Sequence, residues 1–81
     1  MAITPSQVRG ARAMLNISQD ELAALAGLKR LAISRLETGV TDPHDSTIER
    51  IQVALEAAGA AFFETDAGVG IILKRDSDPR P

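Results

Sequence analysis

Cysteine, tryptophan and tyrosine are absent from the 81 residues, and Phe62 and Phe63 are the only aromatic side chains. Without cysteine there is no disulfide framework, no thiolate metal site and no thiol redox chemistry. One histidine, His44, stands alone in a loop, and no set of nucleophile, base and anion-stabilising group can be assembled around it. An enzyme is therefore not expected, nor a metal, a cofactor or a small-molecule ligand. No apolar run approaches the ~20 residues needed to span a bilayer, and the opening MAITPSQVRG has neither an apolar signal core nor a basic leader. The expected location is the cytoplasm. Hydrophobic residues make up 44% of the chain, enough for one small domain with a modest core, for which dimerisation is a usual remedy.

Excess positive charge is missing too: the formal net charge is −2, which is a poor fit to the simplest expectation for a nucleic-acid binder. The distribution is more informative than the sum. Lys29, Arg30 and Arg35 fall in one stretch without an anion, whereas Asp20 and Glu21 precede it and Asp42, Asp45, Glu49 and Glu56 follow. A local basic face on an acidic body still attracts phosphate within a screening length of about 8–10 Å. The acidic remainder weakens non-specific binding.

The most informative segment is SQDELAALAGLKRLAISRLETG, Ser18 to Gly39. Ser18 and Glu21 have the spacing of a capping box, in which the hydroxyl takes the amide three residues on and the carboxylate reaches back. Leu22, Leu25 and Ala26 give the helix that follows an apolar stripe. Gly27 provides the positive backbone angle for a sharp exit, and Leu28 anchors the turn. Ile33 and Leu36 hold down a second helix and leave Arg30, Leu31, Ser34 and Arg35 facing outward. Such a pair is a helix-turn-helix, a unit whose second helix enters the DNA major groove.

At these residues the chain resembles the phage-repressor-like (XRE/Cro-type) helix-turn-helix family of bacterial and phage regulators, over about Val8 to Leu55. The resemblance rests on S-Q-x-E-L-A at Ser18 to Ala23, A-G-L at Ala26 to Leu28 and I-S-R-L-E-x-G at Ile33 to Gly39. Asp42-Pro43 and the T-I-E-R-I run from Thr47 to Ile51 extend it in the same register. It implies DNA binding, and it implies a fifth helix in many relatives where this chain has something else.

The expected fold is mostly α: a four-helix repressor-like helix-turn-helix domain followed by a short C-terminal β-hairpin. Thr4, Pro5 and Gln7 open the first helix as cap, first-turn proline and capping-box partner, with Ile3 and Val8 spaced as a hydrophobic staple and Val8, Ala11 and Leu15 inward. The two motif helices run roughly Ser18 to Ala26 and Lys29 to Thr38. After a loop broken by Pro43, Ser46 and Glu49 form another capping box opening a fourth helix, whose apolar stripe is drawn from Ile48, Ile51, Val53, Ala54, Leu55 and Ala58 and which Gly59 closes. Beyond it, Ala60 to Glu64 and Gly70 to Lys74 read as strands around a turn-rich loop, Thr65 to Val69. The organisation is a helix-turn-helix domain over 1–59, a hairpin serving as dimerisation element over 60–75, and a flexible tail over 76–81. A lone hairpin is marginal in water, so Phe62, Phe63, Ile71, Ile72 and Leu73 are candidates for packing on a second copy. Alternation sends one phenylalanine to the core and the other to a partner.

Arg12 is a cation on an otherwise apolar helix face and needs a partner; Glu37 is the candidate, and the family resemblance implies a salt bridge between these positions linking the first and third helices. Two solvated charges are the alternative. The resemblance also places Gln19 where an amide and a helix N-terminus hold a DNA phosphate, unless it is an ordinary surface glutamine. Arg30 and Arg35 can each pair with guanine O6 and N7, Leu31 can lie on a thymine methyl, and Ser34 can bond a base edge or phosphate; a solvated helix face is the plain alternative. Lys29 stands where relatives often have a capping Ser or Thr, which exchanges a cap for charge suited to phosphate. Thr38 and Thr41 flank the helix end, as phosphate contacts or as turn residues.

The reading is a sequence-specific DNA-binding transcriptional regulator, a repressor that binds an inverted-repeat operator on double-stranded DNA as a homodimer. Its rival is a protein-interaction module, such as an antitoxin or anti-activator, that binds another regulatory protein through the hairpin or Leu31.

Overall fold

A computed structural model describes residues 2–39 and 45–77, with the side chains of Asp45 and Ser77 excepted. The Asp42, His44 and Thr41 assignments, and most of the tail, lie outside the described residues.

Helix α1 (Pro5–Leu15) starts at Thr4, whose hydroxyl accepts the Gln7 N–H at 3.1 Å while Gln7 Oε1 accepts the Thr4 N–H at 2.9 Å. Ile3 and Val8, the predicted staple, are both buried. Helices α2 (Gln19–Ala26) and α3 (Arg30–Thr38) follow, then α4 (Asp45–Ala57). The Ser18–Glu21 capping box forms as its spacing predicts, with both bonds at 3.0 Å. At Gly27, φ is +69° and the chain leaves α2 while the Leu28 N–H bonds back to the Ala23 carbonyl at 2.9 Å; a side chain there would bear the left-handed strain. Asn16 takes the same left-handed conformation at the end of α1, one of the few non-glycine types that does so at modest cost.

Helix α4 begins at Asp45, two residues before the Thr47 start that a Ser46 cap predicts, so Ser46 lies inside the first turn rather than at the cap. The core takes Val8, Ala11 and Leu15 from α1, Leu22, Ala23 and Ala26 from α2, Ile33 and Leu36 from α3, and Ile51, Ala54 and Leu55 from α4. Leu25 departs from expectation: it is 58% exposed, and Ala23 takes its place inside. At 100° per residue Leu22, Ala23 and Ala26 span one arc of the helix, and Leu25 lies on the far side of Leu22. Val53 is likewise exposed, at 63%.

Strands β1 (Ala60–Thr65) and β2 (Gly68–Leu73) pair antiparallel with Ala60 opposite Leu73, Phe62 opposite Ile71 and Phe63 opposite Gly70. Both run further into the expected loop than their apolar residues suggest, leaving Asp66 and Ala67 as a two-residue turn that the Thr65 hydroxyl closes by accepting the Ala67 N–H at 3.1 Å. One face of the hairpin, Ala60, Phe62, Ile71 and Leu73, packs against the helical core beside α1 and α4. The close approach is permitted by Gly10 on α1, where a Cβ would fall 2.7 Å from Ile71 Cδ1. On the other face the Phe63 ring lies across Gly70, covering backbone that no side chain of its own protects.

Gln7 joins the two parts. It is 2% exposed, and while its oxygen serves the α1 cap its Nε2 donates to the Gly70 carbonyl at 3.0 Å. Replacing it separates the two roles: Gln7→Glu keeps an acceptor for Thr4 but sets a carboxylate against a carbonyl. We expect Gln7→Glu to lower stability by about 1–3 kcal/mol in chemical denaturation. Amide exchange should quicken in β2 before it does in α2 and α3.

Candidate nucleic-acid interface

Helix α3 is held from behind by two apolar anchors, Ile33 and Leu36, and by a polar network centred on Glu37, which is 3% exposed. Arg12 donates from Nε to Glu37 Oε2 at 2.7 Å and from Nη2 to Oε1 at 2.9 Å, a two-pronged pair joining α1 to α3. Its Nη1 donates to the Ile17 carbonyl at 3.1 Å, between α1 and α2. Gln19, at the start of α2, donates to Glu37 Oε1 at 3.1 Å. Arg9 donates to the Glu37 carbonyl and, at 3.0 Å, to Ser6 Oγ. Burial alone pushes the Glu37 carboxyl up, but the hydrogen bonds from Arg12 and Gln19 and the charges of Arg12 and Arg9 outweigh it; the carboxyl sits below its ordinary range. The hydrogen bond to Glu37 raises the Arg12 guanidinium in turn.

The network continues outward. Gln19 Oε1 accepts from Arg30 Nε at 3.4 Å, and Arg30 also lies 3.9 Å from Asp20 Oδ1 in an exposed pair. Gln19 is therefore no ordinary surface glutamine: it is half-buried, bonds inward and outward, and keeps one amide N–H uncommitted. That N–H, together with the first backbone amides of α2, is the donor set available to a phosphate at this helix start.

On the outward side of α3, Lys29, Arg30 and Arg35 are exposed, Leu31 is 57% exposed and Ser34 is half-buried. Lys29 occupies the N-cap without a side-chain cap bond, as its residue type predicts. The structure brings Gln19, Lys29, Arg30, Leu31, Ser34 and Arg35 onto the α3 and α2 N-terminal surface. Thr38 is placed differently in one respect: its hydroxyl donates to the Ser34 carbonyl at 3.0 Å, with the Arg35 carbonyl 3.2 Å away. A phosphate contact as donor requires that side chain to rotate out of its own helix.

Of the five hairpin residues expected to pack on a partner, Phe62, Ile71 and Leu73 lie against the chain's own core, while Phe63 and Ile72 face outward at 41% and 56% exposure. Sequence reasoning missed Arg9 and the second bond of Gln7. Arg9 lies one turn before Arg12, a spacing that puts both on the same side of α1, so the signal was present. The bond of Gln7 to a strand 63 residues away had none.

One comparison with known proteins agrees with this geometry. A family model described as helix-turn-helix matches residues 8–57, more than half of the chain and all four helices except the first turn of α1. None of the curated proteins matches.

The Arg12–Glu37 pair makes a measurable statement. Arg12→Ala leaves a buried carboxylate short of its main partner and should cost about 3 kcal/mol in thermal or chemical unfolding. Because the folded-state carboxyl titrates below its unfolded value, its contribution is complete above the ordinary carboxylate range and is lost as pH falls through the folded value. The stability gap between wild type and Glu37→Gln should accordingly be widest near neutrality and close in acid. A gap that stays constant with pH would refute the ionic role.

Proposed function

The chain belongs to the phage-repressor-like (XRE/Cro-type) helix-turn-helix family and is a DNA-binding helix-turn-helix regulator; on that premise we propose that it is a transcriptional repressor reading an inverted-repeat operator as a homodimer. The observation that carries base reading is the outward arc of Arg30, Leu31, Ser34 and Arg35 on a helix fixed from behind by Glu37. Arg30 and Arg35 present forked donors suited to guanine O6 and N7, Leu31 an apolar surface suited to a thymine methyl, and Ser34 a hydroxyl for a base edge. Lys29 and Gln19 hold phosphates, Gln19 with its uncommitted N–H; Thr38 joins them on rotating out of its own helix, and Thr41, outside the described residues, is proposed from the sequence alone. In this proposal the protein acts by occupying promoter DNA, and repression is the sign that such occupation gives when it excludes polymerase. No described helix is long and apolar enough to cross a membrane. A cytoplasmic location, with no cofactor and no catalysis, is part of the same proposal.

The dimer reading draws support from the hairpin, whose outward face presents Phe63 and Ile72 and whose strands both have an open edge. Two copies related by a two-fold axis, joined there, would set their α3 helices to major grooves one turn apart, roughly 34 Å. The protein-interaction alternative keeps one observation in its favour, the 57% exposure of Leu31.

Two measurements test these assignments. In a binding selection from random or genomic fragments, Arg30→Ala and Arg35→Ala should each lose about 1–3 kcal/mol on the preferred site and relax base choice at one position; unchanged base preference in both would remove α3 as the reading element. Ile72→Glu, on an exposed position, should shift the protein from dimer to monomer in sedimentation and abolish cooperativity between paired half-sites. A wild-type monomer that binds one half-site as tightly as two would end the dimer reading.

A further inference from the structure

Helices α2 and α4 leave an open trough of about 490 Å³ between them, with Leu25, Val53 and Ala57 along it and Ser46, Glu49 and Arg50 at its edge. Leu25 and Val53 are the two most exposed large hydrophobic side chains outside α3 and the hairpin among the described residues. Neither is needed by the core or the DNA-reading face. Among the described residues the trough has few converging polar groups and is unroofed, which suits a third helix laid along two others better than a small molecule.

The charges around it specify the occupant. Glu21 precedes Leu25 by one turn of α2, Glu56 follows Val53 by one turn of α4, and Glu49 lines the trough itself. Against these three carboxylates stands Arg50, whose guanidinium reaches the Gly27 carbonyl at 3.5 Å. The surroundings are thus apolar in the middle and acidic at the margin. A second copy fits poorly, because a two-fold arrangement sets the same acidic margin against itself; of the two described helices with net positive charge, α1 has Arg9 and Arg12 bonded to Glu37 and α3 belongs to the DNA face.

We propose that the α2–α4 trough is a docking site for a cationic amphipathic helix of another protein, and that it stays accessible while α3 lies on DNA. Apolar side chains of that helix seat against Leu25, Val53 and Ala57, and its lysines or arginines meet Glu21, Glu49 and Glu56. No trough residue comes from α3, so regulator and partner can assemble on one operator.

The experiment uses the full chain and two labelled synthetic peptides of about four helical turns, each with a leucine stripe, one with lysine and one with glutamate on the remaining positions. The lysine peptide should bind in fluorescence anisotropy, weaken with salt, and shift amide resonances of Leu25, Glu49, Arg50, Val53 and Ala57 but not those of Phe63 or Ile72. Val53→Glu should weaken it by about 30-fold or more, the scale of an interface hot spot, and should leave the selected DNA sequence unchanged. Equal binding of both peptides, or shifts centred on the hairpin or α3, would overturn the proposal. So would a Val53→Glu variant that turns a wild-type dimer into monomer, since the trough would then be a self-contact. DNA selection by the same variant is scored separately, so loss of peptide binding with DNA binding intact cannot be confused with failure of the DNA reading.

Discussion

The arrangement of the first three helices depends on one buried carboxylate. Glu37 takes donors from Arg12 on α1 and Gln19 at the head of α2 while itself belonging to α3, and Arg9 takes the carbonyl of the same residue. An apolar cluster of equal volume could hold the helices at least as firmly, since desolvation offsets much of what a buried ion pair gains. What such a cluster could not do is carry a chain of hydrogen bonds outward to Arg30. The pair therefore does two things together: it fixes the crossing of α1 and α3, and through Gln19 it restrains a side chain on the exposed surface.

Apart from the exposed Asp20 beside Arg30, much of the acidic charge is separated in the fold from the cations of α3. Lys29, Arg30 and Arg35 gather on α3, whereas Glu49 and Glu56 lie on α4 and Glu64 and Asp66 at the far end of the hairpin, which packs on α1 and α4. Acids at the hairpin tip set it apart in charge from α3. One hairpin face completes the core and the other is exposed.

Much of this was legible in the sequence where the deciding physics is local. Capping boxes at Thr4–Gln7 and Ser18–Glu21, the glycine exit at Gly27 and the 3.6-residue periodicity of α1 and α3 involve residues within a turn of each other, and all formed as read. The Arg12–Glu37 pair was legible for another reason, a charge on an apolar face that had to be answered. Leu25 was misplaced because a three-residue helix stripe fits either flank of Leu22, and only the position of α4 decides between them. The same limit applies to the hairpin: alternation identified two faces, but which of Phe62 and Phe63 turned inward depended on Gly10 admitting Ile71. The inward bond of Gln19 was hidden because nothing in its own helix distinguishes it from a surface amide.

Gln7 has a consequence for how the chain is made. Its amide completes the cap of the first helix with one end and reaches β2 with the other, so the first helix and the second strand close upon each other across 63 residues. During synthesis the helix-turn-helix pair can assemble from its own near neighbours, whereas the buried Gln7 amide has no protein acceptor until Gly70 has left the ribosome. Until then one face of α1 stands open beside Gly10, and the nascent chain exposes apolar surface that only its last strand can cover. The hairpin is thus the closing latch of the domain as well as its outer edge, and the domain is complete only when β2 has emerged.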